Sequence, residues 1–236
     1  MEKMSLSKHL TDLRKTLIRI AIILFISFVL CYTFGAQLSE ILLAPLRVVL
    51  KDNGQIVYLG IFDKVLSYFQ VALWSAVILS SPFWFFEIWG FIRPGLLPRE
   101  LKVIRPFILA GFLLFCFGVC FGYFVVFPIT FKMLVGFGVG DVGPMMSMKD
   151  YLGLSIKILV FLGMVFQFPN IIFILGLLKI VTPQKLSGIR THIYVALAIL
   201  SAFFTPPDIL TMLGLWLPLV LLFEIGVLGV RFFIRR

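Results

Sequence analysis

Acidic side chains are few in this chain, and two of them stand among cations. In residues 91–106, FIRPGLLPRELKVIRP, Glu100 is the one carboxylate beside Arg93, Arg99, Lys102 and Arg105. Near the amino terminus Asp12 stands beside His9, Arg14 and Lys15. A carboxylate in such company either pairs with its neighbours, worth about 0 to 1 kcal/mol when exposed, or serves a binding function, and the residues alone leave both open. Glu87, Gln167 and Glu224 fall within or at the edges of apolar runs, where a polar group is costly and therefore a candidate for docking a partner or for intramembrane polar contacts. Gln167 precedes Pro169 by two residues. Because proline donates no N–H, the Val165 carbonyl loses its usual partner in the same turn, and two polar demands meet there. Either Gln167 docks a partner helix or it is satisfied inside the chain. Catalytic patterns are absent: there is no GxxxxGKS/T, HExxH or GxSxG, and His9 and His192 have no visible nucleophile and orienting partner. Cys31, Cys116 and Cys120 lie inside apolar runs and read as small buried hydrophobes. No enzymatic activity, metal or cofactor is expected.

The elements that position these groups are membrane spans. Of 236 residues 61% are hydrophobic and 14% charged, far from the balance of a soluble domain. Nucleic acid is not implied by the net charge of +10, because the cations sit at the ends of apolar segments. The whole chain, 1–236, reads as one all-α transmembrane domain with six spans, at about 17–34, 65–89, 107–127, 151–178, 192–204 and 209–228. Ahead of the first span, SKHLTDLRKTL carries leucines at helical spacing. Between the first two spans lies a polar excursion whose amphipathic piece, LSEILLAPLRVVL, is expected to be interrupted by Pro45. The three prolines of 91–106 predict a stiff surface loop that cannot continue its flanking helices. Pro82 predicts a kink in the second span. Gly111, Gly118 and Gly122 share a face that allows close helix approach. The fifth run is stopped by Thr205, Pro206, Pro207 and Asp208, a trans-side turn; its roughly 13 to 15 residues reach only about 20 to 22 Å, short of the about 30 Å of hydrocarbon. The fifth and sixth spans are therefore expected to be short. The tail, the 91–106 segment, the segment from Lys179 and the carboxyl terminus hold most of the cations, which predicts that both termini are cytoplasmic.

HLTDLRKTL at 9–17, SSPFWFFEIWGFIRPGL at 80–96, FGYFVVFPITFKML at 121–134, FTPPDIL at 204–210 and FEIGVL at 223–228 occur in an order that resembles the TatC family over nearly the whole chain. That family is the multispanning receptor of the twin-arginine translocase. The resemblance implies a concave, glove-like six-helix fold in a bacterial or archaeal-type cytoplasmic (inner) membrane. It implies recognition of paired arginines in the signal peptides of folded cargo. It also implies assembly with TatA-like and TatB-like single-span proteins, as a homo-oligomer within the receptor complex and driven by the proton-motive force. The carboxylates it assigns to recognition correspond to Glu100 and Asp12. Asp12 stands where the family more usually has Glu, and Gln167 where it often has an acid. Arginine's planar donor fork suits bidentate carboxylate contacts that lysine cannot reproduce, so two carboxylates on separate elements could read two adjacent arginines. A proton- or ion-coupled small-solute secondary transporter is the alternative class. It requires ionisable groups near the midplane, whereas Glu87 and Glu224 fall near the cytoplasmic interface on these spans.

Overall fold

The computed structural model describes residues 6–50, 55–93, 98–136, 145–177, 180–205 and 208–233. Long apolar runs leave the backbone no partner but itself in lipid, so they form helices. The chain proceeds through α1 (Leu6–Thr33), α2 (Gly35–Leu50), β1 (Gln55–Val57), α3 (Asp63–Leu79), α4 (Ser81–Ile92), α5 (Pro98–Phe121), a π-turn at Gly122–Val126, α6 (Phe127–Gly136) and β2 (Met145–Ser147). It ends with α7 (Met148–Val165), α8 (Phe168–Leu177), α9 (Pro183–Gly188), α10 (Arg190–Phe204) and α11 (Ile209–Phe233). Among the described residues four stretches are long and apolar enough to cross a membrane: Leu10–Thr33, Ile108–Met133, Met148–Leu177 and Thr211–Phe232. A fifth is the pair α3 and α4, bent by 55° at Ser80, and α10 is a shorter apolar helix of 15 residues.

The core lies around α7 and α8. In the span they form, 67% of the most apolar window is buried, against 6% in that of α1, so α7 and α8 are the internal mast and α1 is largely bare to the surroundings. The glycine face of α5 meets α7. A Cβ at Gly118 would stand 2.8 Å from the Leu162 carbonyl oxygen, so only glycine permits this approach. The two segments that follow α2 and α6 are joined by β1 and β2, a parallel pair in which Gln55 faces Met145. Beside this pair Asp63 accepts from the Gly60 N–H at 2.7 Å and pairs with Lys149 at 3.0 Å.

The prolines account for most differences from the sequence expectations. The kink expected at Pro82 is present at the break between α3 and α4, where the Trp84 ring N–H takes up the Val77 carbonyl at 2.9 Å. Pro45, in contrast, does not interrupt α2, which runs straight through it. Pro45 withdraws the N–H that would bond the Ile41 carbonyl, and the Tyr123 hydroxyl donates to that oxygen at 2.7 Å. Next to it the Tyr151 hydroxyl donates to the Leu42 carbonyl at 2.8 Å. Residues 98–106 are not a loop but the opening turns of α5. Pro98 stands at the first helical position, where no N–H is required, and Pro106 removes only a single bond from a helix that continues. The third span does not end near 127 either. A π-turn, with the Phe127 N–H bonded to the Gly122 carbonyl, widens the helix ahead of Pro128 and lets it run on into α6. Finally, α11 extends to Phe233 and has 25 residues, so of the two spans expected to be short only α10 is.

Candidate functional site

Two helices build a charged cleft. On α1, Asp12, Lys15, Thr16 and Arg19 recur at spacings of three, four and seven and share one face; on α4, Gly90 and Phe91 follow Glu87 by three and four and share its face. With α4 bent away from the line of α3 and packed on α1, these faces enclose a cleft of about 200 Å³. An ion pair crosses it, from Arg19 Nη1 to Glu87 Oε2 at 3.4 Å, with the Arg19 side chain 63% exposed and that of Glu87 26%. Such a length exceeds the about 2.7 to 2.9 Å of a strong charge-assisted hydrogen bond. Among the described residues, nothing beyond Gly90's own stretch of helix lies within 4 Å of its Cβ position, so the cleft is open beside Glu87. Asp12 and Glu87 are thus brought to one place. Glu100 is the third residue of α5, but its side chain lies outside the described residues, as do those of 98–107 generally.

Gln167 sits at the break between α7 and α8 and is buried. Its amide donates to the Gly111 carbonyl of α5 at 3.0 Å, and its oxygen accepts from Asn170 Nδ2 at 3.2 Å. The approach depends on Gly111, where a Cβ would stand 2.6 Å from Asn170 Nδ2. Glu224, on α11, accepts from the Tyr194 hydroxyl and pairs with Arg190 Nη2 at 3.0 Å, while the Trp216 ring N–H donates to the Tyr194 carbonyl at 2.9 Å. α10 and α11 are therefore joined by a polar patch. Of the turn expected on the trans side, Pro206 and Pro207 lie outside the described residues. Asp208 accepts from the Thr211 N–H at 3.0 Å and caps α11, and the Thr205 hydroxyl donates to the Ser201 carbonyl at 2.9 Å. This region serves helix ends and is separate from the cleft.

Sequence reading missed Arg19, Tyr194 and Asn170 as partners of Glu87, Glu224 and Gln167. Arg19 and Glu87 are 68 positions apart, and no local periodicity relates them. A signal did exist for Asn170, only three residues after Gln167 and so within reach of it across one turn.

A model of the family described as Sec-independent protein translocase protein (TatC) matches residues 8–218. The Sec-independent protein translocase protein TatC of Desulforapulum autotrophicum is 34% identical over 235 residues, which cover 100% of this chain and 87% of the relative. That of Deinococcus radiodurans is 34% identical over 229 residues, 95% of this chain and 85% of the relative. Among solved structures, the crystal structure of the twin arginine translocase receptor TatC superimposes with a TM-score of 0.81 at 28% identity, over 94% of this chain and 98% of that chain. The family model thus runs from the first turns of α1 into α11, and the relatives align along the whole length: the chain belongs to the TatC family of Sec-independent protein translocase proteins.

Proposed function

We propose that this chain is the receptor subunit of a twin-arginine translocase. It reads paired arginines in the signal peptides of folded cargo at its cytoplasmic end and assembles with TatA-like and TatB-like single-span proteins, and with further copies of itself, under the proton-motive force. Both termini are placed in the cytoplasm, an assignment supported by the concentration of cations in the tail, in 91–106, after Lys179 and at the carboxyl terminus. The observation that carries the reading is Asp12 in an open charged cleft against α4, the helix that leads into the segment bearing Glu100. Two carboxylates on separate elements suit two adjacent guanidinium groups, each able to form a planar fork of hydrogen bonds. For the single-span partners, Glu224 with Tyr194 and Arg190 offers a polar patch between α10 and α11. Gln167 already bonds Gly111 and Asn170, so it would bear on docking through the spacing of α5 and α8.

The test is capture of the detergent-solubilised full chain on a twin-arginine peptide, compared with its twin-lysine counterpart. Wild type should prefer the arginine peptide. Glu100→Ala should abolish capture while the protein still inserts and folds; Asp12→Ala should weaken it less, and Asp12→Glu should be tolerated. Equal capture on both peptides, or wild-type capture by Glu100→Ala, overturns the assignment.

A further inference from the structure

The contact that crosses the α1 and α4 cleft is itself an arginine on a carboxylate. We propose that Arg19 stands in for the ligand: it holds Glu87 until an arginine of the signal peptide enters beside Asp12 and Glu87, and is then displaced toward solvent. This rests on the receptor reading and adds to it a third recognising carboxylate, Glu87, and a built-in competitor, Arg19.

Four features support the exchange. First, the chemistry is already displayed, since the group Glu87 holds is a guanidinium. Second, the contact is loose: a single nitrogen approaches a single oxygen at 3.4 Å, and the Arg19 side chain is 63% exposed. Exposed pairs of this kind contribute little and are easily replaced. Glu87, at 26% exposure, is much less solvated than its partner. A guanidinium seated fully against it would bond in a lower local dielectric and hold more firmly. Third, there is room, because the cleft opens over Gly90, whose Cβ direction meets none of the described residues within 4 Å beyond its own stretch of helix. Fourth, exchange of one guanidinium for another leaves the charge of the cleft unchanged, so no carboxylate at the membrane edge is stranded. Asp12 and Glu87 line the cleft from opposite helices, and a guanidinium can bond a carboxylate through its planar fork where the point charge of a lysine cannot. A resident arginine raises the threshold for any cation that fails to do so, which is selectivity by competition.

The experiment measures the Kd of a fluorescent twin-arginine peptide for the full chain in detergent. Arg19→Gln should tighten binding by up to about fivefold, the worth of one exposed pair. Glu87→Gln should weaken it about tenfold or more, and Arg19→Gln should then have no further effect in that background. Gly90→Leu keeps both charges, fills the cleft without meeting a packed neighbour, and should weaken binding as Glu87→Gln does. If Arg19→Gln and Glu87→Gln weaken binding equally, the pair merely ties α1 to α4 and the proposal is wrong. It is equally wrong if Glu87→Gln and Gly90→Leu bind as wild type while Glu100→Ala does not bind, and in that case the receptor reading stands. Failure of the wild type to distinguish arginine from lysine peptides removes both.

Discussion

Replacing Tyr123 by Phe should expose what keeps α2 continuous through a proline. In the native chain Pro45 takes one donor out of the helix, and the Tyr123 hydroxyl, 82 positions beyond Ile41, bonds the Ile41 carbonyl left behind at 2.7 Å. Tyr123→Phe keeps the ring and removes only the donor. Interhelical hydrogen bonds in membrane proteins are worth about 0.6 to 2 kcal/mol, and at about 2 to 4 °C per kcal/mol for a chain of this size thermal unfolding in detergent should shift measurably. The decisive step is the background. Pro45→Ala restores the backbone N–H to Ile41, so Tyr123→Phe should then be nearly neutral, giving a coupling of about 0.5 kcal/mol or more in the double-mutant cycle. Tyr151 is the control. It bonds the Leu42 carbonyl at 2.8 Å, whose helical donor is the N–H of Leu46 rather than of residue 45, so Tyr151→Phe should cost the same with or without Pro45. If Tyr123→Phe is as harmful in Pro45→Ala as in wild type, the hydroxyl does not answer for the proline and the reasoning fails.

Gln167→Leu removes the bond to Gly111 and leaves Asn170 without its acceptor. It should leave peptide capture intact but reduce transport and crosslinking to a TatA-like partner, as should Glu224→Gln; wild-type crosslinking by both would confine these residues to a structural role. Spin labels at Thr205 and Asp208 test bilayer thinning beside α10, whose 15 residues reach about 22 Å against about 30 Å of hydrocarbon. Both labels should report a depressed lipid surface there, and a bilayer of full thickness would refute the idea.

That the chain is built of apolar, membrane-spanning helices was legible because a long apolar run with almost no charge admits little besides a transmembrane helix. Individual polar residues were legible for the same reason, since Glu87, Gln167 and Glu224 stand out against such runs. Their partners were not. Glu87 meets Arg19 because a break at Ser80 turns α4 by 55°, and Glu224 meets Tyr194 and Arg190 only because α10 folds back on α11. The angle of a break is set by packing on both sides of it, which no local pattern encodes.

Proline shows most clearly where local reading stops. Pro45, Pro106 and Pro128 are as strong as breakers, judged alone, as Pro82, yet the helix ends only at the last of these. The local cost is the same each time, one lost donor and one orphaned carbonyl four residues back. In water that carbonyl finds a solvent partner anywhere; in hydrocarbon it must be met by protein or by a change of helix type. α2 survives Pro45 because Tyr123 reaches Ile41, and α5 passes into α6 because a π-turn relieves Pro128. The acceptor can therefore be read from sequence, at the fourth residue before each proline, but the donor cannot. Aromatic donors narrow the choice: Tyr123, Tyr151, Trp84 and Trp216 all spend their O–H or N–H on backbone carbonyls. Of these acceptors only the Ile41 carbonyl lies four residues before a proline, so the tyrosine of FGYFVVFP answers Pro45 while the other three serve carbonyls that no proline orphans.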